Sequence, residues 1–132
     1  MKGYKANIED LVSKNSSFRQ VLYTSKHSQL VLMALKPGEE IGMEVHTDND
    51  QFFRFEEGEG KALVDGNEYQ LTAGDVLVVP SGAQHNIINT SQTQGLKMYT
   101  LYSPPHHRDG VVHKTKTEAQ SDNEEFDGKT SE

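Results

Sequence analysis

Two stretches bounded by glycine restrict what this chain can fold into more tightly than its composition does. One is PGEEIGMEVHTDNDQFFRFEEG, ending at Gly58, and the other is GDVLVVPSGAQHNIIN, running from Gly74 to Asn89. Alternate residues of a strand project to the same face, so Glu44 and His46 point together while Val45 points away. Gln51 and His85 reach that pair only if the chain folds back twice, and the glycines, Pro80 and the alternating strands between them supply the reversals. A small β-barrel would then turn one carboxylate, one carboxamide and two imidazoles inward. That is a candidate metal site made of Glu44, His46, Gln51 and His85.

Short strand-like runs continue on both sides of these stretches. QVLYTSK and QLVLMALK lead to a Pro37-Gly38 turn, and between Gln51 and Glu57 the residues Gln51, Phe53 and Phe55 share one face while Phe52 and Arg54 share the other. KALV and NEYQLT flank Asp65-Gly66, a dipeptide suited to a type I′ hairpin turn. VLVVP is apolar on both faces, which predicts a buried strand stopped at Pro80, because proline cannot donate to the ladder. QHNIINT and LKMYTLYSPP complete the set. Seven to ten strands with turn signals every eight to twelve residues, and no convincing helix among them, predict an antiparallel sandwich or barrel.

The 132 residues suffice for one domain with a real core. Mean hydropathy is low at -0.72, but the shortage is uneven: Leu30 to Ile88 is rich in valine, leucine, isoleucine and phenylalanine, and everything after Arg108 is polar. The expected organisation is an N-terminal arm over residues 1–19 with a short helical turn around Asn7 to Val12, a barrel over 20–105, and a polar C-terminal tail over 106–132. In the tail, Thr115 and Glu118 form a capping box for one or two helical turns, and disorder is expected from about Ser121. His27, His106, His107 and His113 are expected in solvent. The alternative for the last three is that their segment folds across the barrel mouth and brings a proton donor. Met33, Met43 and Met98 are expected to fill the core or pocket, and Tyr23, Tyr69, Tyr99 and Tyr102 to pack with satisfied hydroxyls.

A formal charge of -7, with Arg19, Arg54 and Arg108 as the only arginines, offers no basic cluster for a nucleic-acid backbone and disfavours an anionic membrane. No cysteine is present, so thiolate ligands and disulfides are excluded. MKGYKANIEDLV lacks an apolar signal core, and no apolar run approaches the roughly 20 residues of a membrane span. A soluble, cytoplasmic protein is the expectation.

The offsets within the two stretches resemble the paired motifs of the cupin family. In the first, Gly38 is followed by five residues, then Glu44, Val45, His46, four residues, Gln51, six residues and Gly58. In the second, Gly74, Pro80, Gly82, His85 and Asn89 fill every position of the family's pattern. The resemblance implies a double-stranded β-helix, an RmlC-like jelly roll, with one metal inside the barrel. The first motif departs from the family, with Glu44 in place of its first histidine and Gln51 in place of its glutamate, so one carboxylate has moved across the site. His46, His85 and Glu44 make a set that suits non-haem Fe(II), and nitrogen and oxygen donors of this kind also take Zn(II), Mn(II), Ni(II) or Cu(II). Gln51 is the weaker, neutral fourth ligand, or a donor to the ligands themselves. The opposing reading is a lapsed site with a polar interior.

Three functions remain open on this reading. One is Lewis-acid isomerase, epimerase or lyase-type chemistry on a sugar or sugar acid, with neutral or carboxylated sugars favoured over phosphosugars because Arg54 faces outward. The second is an Fe(II)-dependent dioxygenase, and the third a binding or sensing module for a small molecule without turnover. A homodimer is expected, on the ground that QLVLMALK would otherwise expose a sheet edge.

Overall fold

The computed structural model describes residues 1–132. Its elements in chain order are α1 (Ile8–Lys14), β1 (Arg19–Thr24), β2 (Gln29–Leu35), β3 (Glu44–Val45), β4 (Asp50–Glu57), β5 (Glu59–Val64), β6 (Asn67–Thr72), β7 (Val76–Val79), β8 (Gln84–Asn89), β9 (Leu96–Ser103), β10 (Val112–His113) and α2 (Lys116–Ser121). The strands form two antiparallel sheets, a six-stranded one in the order β10-β1-β2-β9-β4-β7 and a four-stranded one in the order β3-β8-β5-β6. Apart from the consecutive pairs β1–β2 and β5–β6, neighbours in these sheets are not consecutive in the chain, as in a double-stranded β-helix, and the expected jelly roll is the observed fold. No helix is long and apolar enough to cross a membrane.

Period-two patterning decides which side chains meet between the sheets. In β4, Gln51, Phe53 and Phe55 are buried at 3%, 1% and 0% exposure, and the two phenyl rings stack 5.9 Å apart. Val31, Met33 and Leu35 of β2, Met98 of β9 and Ile87 of β8 join them in a core of 17 buried residues. Each such aliphatic or aromatic side chain stabilises the fold by roughly 1.5–3 kcal/mol on burial. The register between β2 and β9 is unbroken from Gln29 opposite Tyr102 to Leu35 opposite Leu96.

Both helices have the caps their sequences offer. The Asn7 side chain accepts from the Asp10 N–H at 3.0 Å, and α1 forms where a short turn was expected. Thr115 accepts from the Glu118 N–H at 3.1 Å, while Glu118 reaches back to the Lys114 N–H at 2.8 Å, so the capping box starts α2.

Several expectations are corrected. β7 has only one face turned to the core, so only Leu77 and Val79 are buried; Val76 and Val78 stand in solvent. β2 lies between β1 and β9, so QLVLMALK exposes no edge. Met43 and Tyr69 are about half exposed, at 52% and 49%, because each projects from the outward face of the four-stranded sheet or the loop leading into it. The polar segment after the double proline does not leave the barrel. It returns to add β10 beside β1, and the Ser131 N–H donates to the Thr24 carbonyl at 2.9 Å. His107 and His113 are thereby buried, at 5% and 4% exposure, rather than solvated. His27 is in solvent, as expected.

Candidate metal centre

The two motifs are brought together by backbone pairing. β3 runs antiparallel to β8 with Glu44 directly opposite His85, and β4 places Gln51 opposite both Val79 and Tyr102. The loop from β3 to β4, which carries His46, is tied down three times. The Gly82 N–H donates to the His46 carbonyl at 2.9 Å. The Ser81 N–H donates to Asp50 Oδ1 at 2.9 Å, and Asn49 Nδ2 donates to the Pro104 carbonyl at 2.6 Å.

One donor atom from each of Glu44, His46 and His85 falls within 4.8 Å of the others. His46 and His85 are buried, at 8% and 4% exposure, with ring centroids 5.2 Å apart. His85 Nδ1 lies 3.0 Å from the Ala83 carbonyl; it must donate there, which leaves Nε2 with its lone pair free. His46 Nε2 lies 2.9 Å from Glu44 Oε2, within ion-pair distance though outside strict hydrogen-bond alignment. Gln51 Nε2 donates to Thr100 Oγ1 at 3.0 Å, and its buried Oε1 is unpartnered. Burial pushes the Glu44 carboxyl up, but His46, Arg19 and His85 outweigh it and hold the group below its usual range.

The Glu44 carboxylate, the free Nε2 of His85 and the unpartnered Gln51 Oε1 therefore line one pocket, with His46 beside Glu44. A buried acceptor without a donor costs free energy, and a divalent cation beside it would offset that cost. Glu44, His46 and His85 can hold such an ion, and Gln51 lines the same pocket as Glu44 and His85.

Further residues reach the site, His106 by the alternative in which its segment folds across the barrel mouth. Tyr102 lines the same cavity as Glu44, Gln51 and His85. His106 packs on it, with its ring 4.4 Å from that of His46 and 5.2 Å from that of Tyr102. Burial, reinforced by the neighbouring His107 and His46, pushes His106 down to about 4, so it is neutral at pH 7. His107 Nδ1 meets Glu124 Oε1 at 2.6 Å and its Nε2 meets the Tyr102 hydroxyl at 3.2 Å. Burial raises Tyr102 far above its ordinary range, so the hydroxyl donates to His107. The C-terminal segment thus reaches the barrel mouth, where a cavity of about 330 Å³ is lined by His46, Asn49, Pro105, His106, Glu125 and Phe126. Pro104-Pro105, which turns the chain off β9, was the available signal.

Arg19 escaped sequence reasoning. It opens β1 in phase with Val21, and both are buried, at 8% and 5% exposure. The period-two phase pointed inward; a charged residue at a strand terminus gave reason to look outward. Met33 and Phe53 wall the cavity beneath the cluster.

The Cupin domain family matches residues 31–102. The chain is 46% identical over 112 residues to the uncharacterised protein L612 of Acanthamoeba polyphaga mimivirus, covering 83% of this chain and 70% of that protein. It is 30% identical over 95 residues to the oxalate-binding protein of Thermotoga maritima, covering 70% and 74% of the two chains. The crystal structure of BH2720 from Bacillus halodurans superposes with a TM-score of 0.89 at 36% identity, over 92% of this chain and 96% of that one. Motif positions, sheet topology and these likenesses agree, and the chain belongs to the cupin family.

Proposed function

We propose that this cupin is a metal-dependent enzyme acting on a small molecule, with Lewis-acid isomerase, epimerase or lyase-type chemistry on a sugar or sugar acid. The observation that carries the reading is the convergence of the Glu44 carboxylate with the His46 and His85 imidazoles, with the unpartnered Gln51 Oε1 in the same pocket. Glu44, His46 and His85 would hold one divalent ion, with Gln51 as a weaker fourth ligand. Such an ion polarises a carbonyl or hydroxyl oxygen of the ligand. The chain supplies the rest: Phe53 and Met33 line the pocket below the cluster, and His106, its ring 4.4 Å from that of His46, would be the proton-transferring group at the mouth. The name of the Thermotoga relative, an oxalate-binding protein, supports a small acid as the ligand.

A second reading, an Fe(II)-dependent dioxygenase, is favoured by one observation: two imidazoles and one carboxylate are the donors brought together. Metal analysis of protein purified without chelators or a metal-affinity tag separates the two. Zinc, manganese or nickel supports Lewis-acid chemistry, and stoichiometric iron with oxygen uptake supports the dioxygenase. Protein that retains and takes up no metal sinks both and leaves a binding module.

The reading includes a cytoplasmic homodimer. Support comes from β7, an edge strand paired on one side only, with β4, whose Val76 and Val78 are exposed at 54% and 62%. Sedimentation of a monomer at micromolar concentration would remove that part.

A further inference from the structure

Arg19 is a buried cation without an anion. Its side chain takes part in none of the ion pairs of the structure, its Nε is buried without a partner, and its one hydrogen bond runs from Nη1 to His113 Nδ1 at 3.4 Å. Yet the guanidinium is firmly placed. Arg19 and His113 are directly opposed in the β1–β10 register. His113 Nε2 lies 3.0 Å from Asp122 Oδ2, so it donates there and turns its Nδ1 lone pair to Arg19. The Phe18 ring lies 5.4 Å from Cζ on another side.

The position is as informative as the missing partner. Arg19 lines, with Glu44, Gln51 and His85, a closely packed pocket that has no room for a water. It also lines an adjoining cavity of about 130 Å³, shared with Glu44, Ile41, Lys116 and Gln120. That volume corresponds to about four water molecules. Burying a guanidinium is costly unless an anion and its hydrogen bonds compensate. Glu44 is the one carboxylate of the chain that shares these cavities, and it lies beyond ion-pair distance. A divalent ion at the cluster would engage Glu44 and leave the cavity net positive, with Lys116 adding a cation at its rim.

We infer that Arg19 is the carboxylate-binding residue of this site, and that the ligand is a small organic acid whose carboxylate lies in the guanidinium fork beside the metal cluster. The planar fork matches a carboxylate bidentately, and the small volume admits a compact acid. The inference rests on the proposed metal site only for what the rest of the ligand meets; the anion seat belongs to Arg19 and Lys116.

The test is calorimetric titration of the full chain, metal-loaded and chelator-treated, with lactate, with its neutral counterpart 1,2-propanediol and with inorganic phosphate. Wild type is expected to bind lactate at least about 10-fold more tightly than the diol, and Arg19→Gln to lose that preference while keeping its metal affinity within about twofold. Arg19→Lys, which keeps the charge and loses the fork, falls between them. A folded Arg19→Gln that binds lactate like wild type overturns the inference, as does a diol or phosphate that binds as well as lactate. If Arg19→Gln does not fold, Lys116→Glu on the surface-facing α2 decides: a loss of about threefold or more in lactate affinity is expected, and no change overturns it. Metal content is measured separately. Protein that takes no metal but binds lactate through Arg19 removes the proposed function and leaves this inference standing; protein that binds metal and ignores lactate does the reverse.

Discussion

The backbone N–H of Gly82 donates to the carbonyl oxygen of His46 at 2.9 Å, so the turn before β8 is bonded to the loop before β4. This bond joins the two motifs at the point where each presents a histidine. Gly82 sits at φ +87°, a conformation glycine adopts at little cost, and Pro80 sets the turn that brings its N–H round. The imidazoles converge because the backbones beneath them are already paired.

The cluster ranks its own members. Glu44 brings a negative charge, whereas Gln51 is neutral and half engaged with Thr100. Glu44→Ala is expected to lower metal affinity by about 100-fold or more, and Gln51→Ala by about 10-fold. Competition with a chromogenic chelator measures both, and equal losses would refute the ranking.

Asn89 completes the second motif but faces no ligand. Its Nδ2 lies 3.1 Å from the Leu35 carbonyl, 3.0 Å from that of Lys36 and 2.9 Å from that of Gln94, and its Oδ1 accepts from the Ser91 N–H at 2.9 Å. It is 1% exposed and knots the end of β8 to the end of β2. Asn89→Ala strands several buried backbone groups and should cost about 2–4 kcal/mol. Urea unfolding reads this, while metal affinity of the folded fraction should hold; a variant as stable as wild type would show that the knot is dispensable.

The motifs were legible because they fix backbone geometry at short range. Glycines at turns, Pro80 before a turn and alternation in β4 each constrain a few consecutive residues, and Glu44, His46, Gln51 and His85 fell where that local geometry put them. Arg19 and Glu124 were not legible, and the docking of His106 against Tyr102 stood only as an alternative, since their meeting depends on where a polar segment docks after leaving β9. Nothing local in HHRDGVVH says that β10 will pair with β1. The error over β7 had the same origin: four apolar residues in a row do not reveal that one face lacks a neighbour.

Gly58 closes the first motif for a steric reason. Its φ is +94°, and a Cβ there would run into the carbonyl oxygen of Gly95. Gly58→Ala combines backbone strain with a clash against main chain and is expected to destabilise by about 2–4 kcal/mol. A thermal midpoint within 2 °C or so of wild type would contradict this, given the usual several-degree shift per kcal/mol for a domain of this size.

The contact between Glu124 and His107 makes the tail's docking sensitive to acid. Burial is the main influence on His107 and, despite its carboxylate partner, holds the ring below the usual imidazole range. It is therefore neutral at pH 7, with Nδ1–H donating to Glu124 and Nε2 accepting from Tyr102. Burial would raise Glu124, but the bonds from His107 and from the Arg108 N–H, at 2.6 and 2.7 Å, prevail and bring it down to about 2. For both groups the unfolded chain takes up a proton at higher pH than the folded one does. Stability is thus fully present above about pH 6.5, falls first as unfolded histidine protonates, and falls further below about pH 4.3 as unfolded carboxyls do. Urea midpoints should decline from pH 7.5 to pH 4. Glu124→Gln, which removes the anionic acceptor from two donors, should cost about 1–2 kcal/mol at pH 7.5 and flatten the acid limb below pH 4.3. Proteolysis after Arg108 or Lys114 should quicken in the variant at neutral pH and in wild type only in acid. A wild-type midpoint that does not move between pH 7.5 and pH 4 would mean that this contact does not hold the tail in place.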